Sequence, residues 1–298
     1  MGGEREWERD EEADIRKEEI RKVVAKLKDG KATGSDEIPN EVWKYGGEEV
    51  IDWAWEICNR VWRGEGWPES WKEGIIAPIK KKGDGKQASD YRGVTLMPTL
   101  YKIYAAVLTE RLREEVEEKR MLPENQTGFR RGMGTTDNIY VLNYLVNRQI
   151  KRAKGKVIAF FIDLRAAFDS VDRGVLMEAL RERGVREGLR KRIKEILRET
   201  RSRVRTGEGV TEPFWTVRGV RQGCPLSPLL YNLLTADMEE KMRKGGGGGI
   251  KIGGRKIYTL AYADDVVVLA EEEGDMRVIL GRLERYLEEK RLELNRDK

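Results

Sequence analysis

The sequence has no histidine and only two cysteines, Cys58 and Cys224, among its 298 residues. Without histidine there can be no Ser-His-Asp triad, no Cys-His dyad, no histidine general base and no histidine zinc site. Two cysteines exclude a disulfide framework and a four-cysteine zinc site. No apolar run approaches the ~18 residues of a membrane span, and no apolar leader opens the chain, so an intracellular protein without a membrane partner is expected. An excess of one charge sign is also nearly lacking. Lys+Arg 58 against Asp+Glu 53 leaves a net charge of +5, which suggests a polyanionic partner only weakly. Whatever chemistry the chain performs must therefore rest on carboxylates, lysines, backbone amides and bound metal.

What is present is a chain that is 39% hydrophobic, long enough to bury a core in one or two lobes. The stretch up to about Glu12 is charged and aperiodic, a frayed lead-in. Ile20, Val23, Val24 and Leu27 recur at helical spacing before Gly30, and Val50, Ala54, Ile57 and Val61 mark a second amphipathic helix. Tryptophans 53, 55, 62, 67 and 71 suit core packing better than base stacking. Ile75–Ile79 predicts a strand that enters the basic loop Lys80-Lys81-Lys82-Gly83-Asp84-Gly85-Lys86, and a second short strand follows through Leu96. Helices are expected from about Thr99 to Lys119, Asn138 to Lys151, Val175 to Arg183 and Leu189 to Thr200. A hairpin is expected through Val204 and Phe214 to Val217. Ser227 and Pro228 suit a helix start. Gly245 to Gly249 is expected to be a flexible connector before a last helix near Met276 to Lys290.

Two places concentrate acid beside apolar sequence. Val157-Ile158-Ala159-Phe160-Phe161-Ile162 is an unbroken apolar run of the length of a central buried strand, and Asp163 stands at its end. Tyr262-Ala263-Asp264-Asp265 lies between two β-rich runs that meet in a tight hairpin. Adjacent carboxylates repel, and burial without compensation costs several kcal/mol. A divalent cation compensates them, although an ordinary Asp-containing turn gives the same tetrad. The basic glycine loop from Gln126 to Asp137 can bring backbone amides to phosphate, and it fits a solvated turn equally well. If strand and hairpin are neighbours in one sheet, three acids could hold two Mg²⁺ ions roughly 4 Å apart for phosphoryl transfer. That chemistry needs no histidine.

Six blocks in order then carry a resemblance. They are Asp36-Glu37-Ile38-Pro39; Tyr91-Arg92-Gly93-Val94-Thr95-Leu96; Gln126-Thr127-Gly128-Phe129-Arg130; Phe161-Ile162-Asp163-Leu164 with Ala167-Phe168-Asp169; Gln222-Gly223-Cys224-Pro225-Leu226-Ser227-Pro228; and Tyr262-Ala263-Asp264-Asp265. Together they resemble the reverse transcriptase domain of non-LTR, LINE-type retrotransposons over nearly the whole chain. The resemblance implies an α+β right-hand polymerase with fingers and an antiparallel palm sheet, lacking the thumb. It divides the chain into an N-terminal helical extension (1–62), fingers (63–155) and palm (156–298), ending before the primer grip and thumb. It implies an RNA-directed DNA polymerase acting on an RNA template, a DNA primer and dNTPs in the nucleus, the cytoplasm or both. Two Mg²⁺ ions, with Mn²⁺ as a substitute, would be held by Asp163, Asp264 and Asp265 and the backbone carbonyl of Leu164.

By the same resemblance, Lys81 (or Lys80 or Lys82) and Arg92 would grip the triphosphate, and Gln222 and Gly223 would line the nucleotide pocket. Phe168 would be the aromatic gate against a ribose 2′-hydroxyl. Gln126, Gly128, Arg130 and Arg131 would face the template. Asp169 and Asp172 read as helix-start residues and not ligands. Lys298 falls where the family has a lysine that protonates the leaving pyrophosphate. An RNA-directed RNA polymerase is disfavoured by Phe168 and the six blocks. The other alternative is an inactive or poorly active nucleic-acid-binding remnant of such an element.

Overall fold

The computed structural model describes residues 13–81, 85–153 and 155–295. The charged lead-in, Lys82 and Lys298 lie outside them. The chain forms two compact units, one of Met1–Glu115 with Arg181–Ser227 and one of Val116–Leu180 with Pro228–Lys298. This division is not contiguous, in contrast to the boundaries expected from the sequence, because pairing between distant segments decides it. In chain order the strands are β1 (Glu73–Lys80), β2 (Tyr91–Leu96), β3 (Ile158–Ile162), β4 (Arg201–Thr206), β5 (Gly209–Val210), β6 (Phe214–Trp215), β7 (Ile250–Ile252), β8 (Arg255–Ile257), β9 (Thr259–Tyr262) and β10 (Asp265–Ala270).

In the first unit the two expected strands, β1 and β2, pair as an antiparallel hairpin, in register from Ile75↔Leu96 to Lys80↔Tyr91. β4 joins the other edge of β1 in parallel, Glu73↔Arg201 to Ile76↔Val204, which draws residues 181–227 into this unit. The tryptophans cluster as expected for core packing. Trp62 and Trp71 are buried, and Trp71 meets Trp67 and Tyr101 edge-on at 5.4 and 5.8 Å between ring centroids, each pair contributing about 0.5–1.5 kcal/mol beyond area burial. Arg111 and Arg192 lie over the Trp62 ring at 4.5 and 3.7 Å. Trp53 is the exception, 62% exposed. It falls out of phase with Ile51, Ala54, Cys58 and Val61, which form the inner face of the helix Gly47–Trp62.

The second unit is built on the antiparallel sheet β3-β10-β9. The helix Thr135–Ile150 contributes Leu145 to a core with Ile250, Leu260, Val267 and Leu269. The apolar run of β3 forms a strand but not the central buried one. β10 occupies the middle, and β3 lies at the edge with Phe160 40% and Phe161 70% exposed. An unbroken apolar run fixes strand type, whereas position in the sheet depends on which partners reach it. The glycine connector follows a defined, hydrogen-bonded path. Gly245–Gly249 take five successive positive φ values, the Gly249 amide donates to the Leu269 carbonyl at 2.8 Å, and Arg282 braces the run by donating to the Met242 and Gly246 carbonyls. The final helix, Glu273–Lys290, is tied down by Asp237, which accepts from Tyr286 Oη at 2.9 Å and pairs with Lys290 at 2.9 Å.

Candidate active site

Sheet register brings the acids together. β3 pairs with β10 as Ile162↔Val266, so the next step along the antiparallel ladder sets Asp163 opposite Asp265. β9 and β10 close the hairpin with the pair Tyr262↔Asp265, leaving only Ala263 and Asp264 in the turn. Ala263 has φ +57°, a left-handed conformation that costs an L-residue about 1–2 kcal/mol. Its surroundings must therefore hold it there. Asp163 and Asp264 are half-buried and Asp265 is exposed.

Asp163 is fixed by a segment that sequence reasoning did not assign. After the last helix the chain returns alongside residues 163–165, with a bridge between Leu164 and Leu294 and Arg165 N–H donating to the Glu293 carbonyl at 2.9 Å. Asn295 bonds Asp163 twice, from its backbone N–H to the Asp163 carbonyl at 2.9 Å and from Nδ2 to Oδ2 at 2.5 Å. Among the described residues, no three His, Cys, Asp or Glu side chains converge closely enough to hold a metal ion. Register and donor chemistry nonetheless suit a hard divalent cation, with two carboxylates opposite each other and a third in the adjoining turn.

Tyr231 is a second residue the sequence did not signal. It is 1% exposed, its hydroxyl has no hydrogen-bond partner among the described residues, and its phenol is pushed upward by burial and then by the charge of Asp264. Its ring stacks on Phe168 at 4.9 Å and 25°. As the one aromatic in the helix Ser227–Thr235, Tyr231 gave no hint that its ring would back Phe168.

The loop expected to face a template divides into two parts. Gln126 is 4% exposed and Gly128 is also buried, so both turn inward onto the Ala263 turn and their surfaces are not available to a template strand. The Gln126 side chain bonds the backbone of Ala263, and Asn125, Gln126 and Thr127 pair with Ala261, which draws this segment into the second unit. Arg130 is half-buried and donates to the Pro123 and Gln126 carbonyls at 2.8 and 3.2 Å, whereas Arg131 is at the surface. Asp172 behaves as a helix-start residue. Its Oδ1 accepts from Val175 N–H at 3.0 Å and its Oδ2 pairs with Arg291 at 2.7 Å; the Val175 bond, ahead of Arg291, holds its carboxyl below the usual range.

The remaining candidates belong to the first unit. Lys81 and Arg92 are exposed at the loop end of the β1–β2 hairpin, where Lys81 N–H donates to the Asp90 carbonyl at 2.8 Å. Gln222 and Gly223 lie against β2. The Gln222 carbonyl accepts from Thr95 N–H at 2.7 Å, and at Gly223 (φ +110°) a Cβ would come within 2.8 Å of the Thr95 carbonyl oxygen. Only glycine fits that approach.

Comparison with known proteins shows the family. The family model for reverse transcriptase (RNA-dependent DNA polymerase) matches residues 79–298. The retrovirus-related Pol polyprotein from type-1 retrotransposable element R2 of Popillia japonica is 30% identical over 233 residues, 78% of this chain and 32% of that protein. The RNA-directed DNA polymerase from mobile element jockey of Drosophila melanogaster is 27% identical over 274 residues, 91% of this chain and 29% of that protein. The chain thus spans about a third or less of the curated relatives it matches. Among solved structures, telomerase from Candida albicans, in complex with a TWJ fragment of telomeric RNA, superposes with a TM-score of 0.57 at 14% identity. That match covers 87% of this chain and 46% of the telomerase. At that identity the likeness speaks for the fold alone, and it agrees with the α+β right-hand polymerase architecture expected from the sequence.

Proposed function

The chain belongs to the reverse transcriptase family of RNA-dependent DNA polymerases, and from that membership we propose that it is the polymerase core of a non-LTR retrotransposon. It extends a DNA primer on an RNA template with dNTPs, acting inside the cell, in the nucleus or cytoplasm or both. The observation that carries the reading is the register that opposes Asp163 to Asp265 with Asp264 in the adjoining turn. Reverse transcriptases use divalent metal ions. Here Asp163, Asp264, Asp265 and the Leu164 carbonyl would hold two Mg²⁺, or Mn²⁺ in their place. Such ions, when bound, supply charge neutralisation at the transferring phosphoryl group and acidify the primer 3′-hydroxyl.

The chain's own residues do the positioning. Asn295 fixes one oxygen of Asp163, and the strained Ala263 turn sets the directions of Asp264 and Asp265. Phe168, backed by Tyr231, presents a rigid ring against the 2′ position of an incoming nucleotide. In the first unit, which we read as fingers with an N-terminal helical extension, Lys81 and Arg92 neutralise the triphosphate while Gln222 and Gly223 contribute backbone beside β2. The second unit is read as palm, and within it Arg131, with Arg130 behind it, contacts the template backbone. The test is primer extension on an RNA template with Mg²⁺. Asp264→Asn is expected to abolish it, and extension that survives would refute the acid assignment. No extension by the unaltered chain, with template still bound in a salt-sensitive manner, would mark a nucleic-acid-binding remnant instead.

A further inference from the structure

The Asp264-Asp265 turn has a conformational requirement that its own residues do not meet. Ala263 is buried and left-handed, so its N–H and carbonyl both need partners in a place water does not reach. One side chain, 137 positions earlier, supplies both. Gln126 Oε1 accepts from Ala263 N–H at 2.9 Å, and Gln126 Nε2 donates to the Ala263 carbonyl at 3.2 Å. The same Oε1 accepts from Gly128 N–H at 3.0 Å, which locks the amide in its orientation. A primary amide offers a donor and an acceptor side by side in one plane, whereas an ionised glutamate has no donor for the Ala263 carbonyl and methionine has no donor at all.

Gly128 completes the fit. Its backbone lies so close to the turn that a Cβ would come within 2.3 Å of Ala263 N, and its carbonyl accepts from the fully buried Asn232 Nδ2 at 2.7 Å. Rotation about the Ala263 Cα–C bond would turn its carbonyl away from Nε2 and swing the Asp264 Cα, so holding that carbonyl holds the acid. We propose that Gln126 is a positioning residue that sets the Asp264-Asp265 carboxylates for divalent-cation binding and does not contact nucleic acid. This inference rests on the reading of those acids as the cation site.

The test compares the full chain with Gln126→Met, Gln126→Glu and Asp264→Asn, measuring Mn²⁺ binding by loss of the free-ion EPR signal and primer–template affinity by fluorescence anisotropy. Gln126→Met and Gln126→Glu are each expected to weaken Mn²⁺ binding about 10–100-fold, as loss of a group that orients a ligand does, with primer–template affinity held within about twofold. Unchanged Mn²⁺ binding, or a loss confined to primer–template affinity, overturns the proposal. If Asp264→Asn binds Mn²⁺ like the unaltered chain, the cation-site reading fails first and the inference falls with it. Should the Gln126 variants not fold, hydrogen exchange on the unaltered chain decides. Protected Ala263 and Gly128 amides support the clamp, and amides that exchange like those of an open turn overturn it.

Discussion

Replacing Asn295 by alanine isolates one side-chain bond at the cation site. The 2.5 Å contact from Nδ2 to Asp163 Oδ2 joins a neutral donor to a carboxylate, and bonds to charged groups contribute about 1.5–3 kcal/mol. Alanine keeps the backbone bond from residue 295 to the Asp163 carbonyl and the Leu164–Leu294 bridge, so the returning segment stays in register and the loss is confined to carboxylate orientation. At about 1.4 kcal/mol per tenfold, the released Asp163 should weaken cation binding about 10–100-fold, the range typical of partners that orient metal ligands. The assay is the initial rate of primer extension against MgCl₂ concentration. The Asn295→Ala curve should move to higher Mg²⁺ by at least tenfold and approach the unaltered rate at saturation. A curve that does not move refutes the reasoning, and a move to lower Mg²⁺ would show that Asn295 competes with the cation.

Three further outcomes follow from contacts elsewhere. Phe168→Ala should raise ribonucleotide incorporation relative to deoxyribonucleotide incorporation in single-turnover extension, and an unchanged ratio would remove the gate role. Asp172→Ala removes the side chain that caps the helix Arg173–Glu182, which should cost about 0.5–2 kcal/mol in denaturant unfolding; a loss below 0.2 kcal/mol would contradict the cap. Burial raises the carboxyl of Glu239 above its usual range, although Tyr258 N–H, Thr259 N–H and Thr259 Oγ1 all donate to it. The folded state therefore holds this proton more tightly than the unfolded state. That contribution is full below the unfolded pKa of about 4.3 and is lost as pH rises through the raised folded value. The unaltered chain should gain stability relative to Glu239→Gln as pH falls from 7 toward 4.5, and a trend of opposite sign would refute it.

Much of the site was legible because sequence order and chemistry coincide there. A strand ending in Asp163 and a hairpin turning on Asp264 need only be sheet neighbours to oppose their acids, and apolar periodicity announces both elements. What was not legible depends on contacts between segments far apart in the chain. Gln126 looks like a polar loop residue until Ala263 is found 2.9 Å from its amide, and Asn295 looks like a residue in a tail until it bonds Asp163. The edge position of β3 escaped for the same reason, since an apolar run reports burial demand and not the number of strands available to meet it. The path of the glycine run was not legible because composition reports freedom in the unfolded chain and not the five positive φ values or the bond from Arg282 to the Met242 carbonyl.

The edge position of β3 also has a colloidal consequence. Among the described residues Ile158–Ile162 pairs with β10 on one side only, and Phe161 is mostly and Phe160 partly exposed. Such an edge is a template for strand addition by another copy, and a phenylalanine pair makes that addition adhesive. Because Asp163 directly follows this strand, copies joined there would crowd the same end of the sheet that carries the acids. Specific activity should then fall as protein concentration rises, in step with light scattering. A lysine in place of Phe161, the more exposed of the two rings, should restore proportionality between activity and concentration.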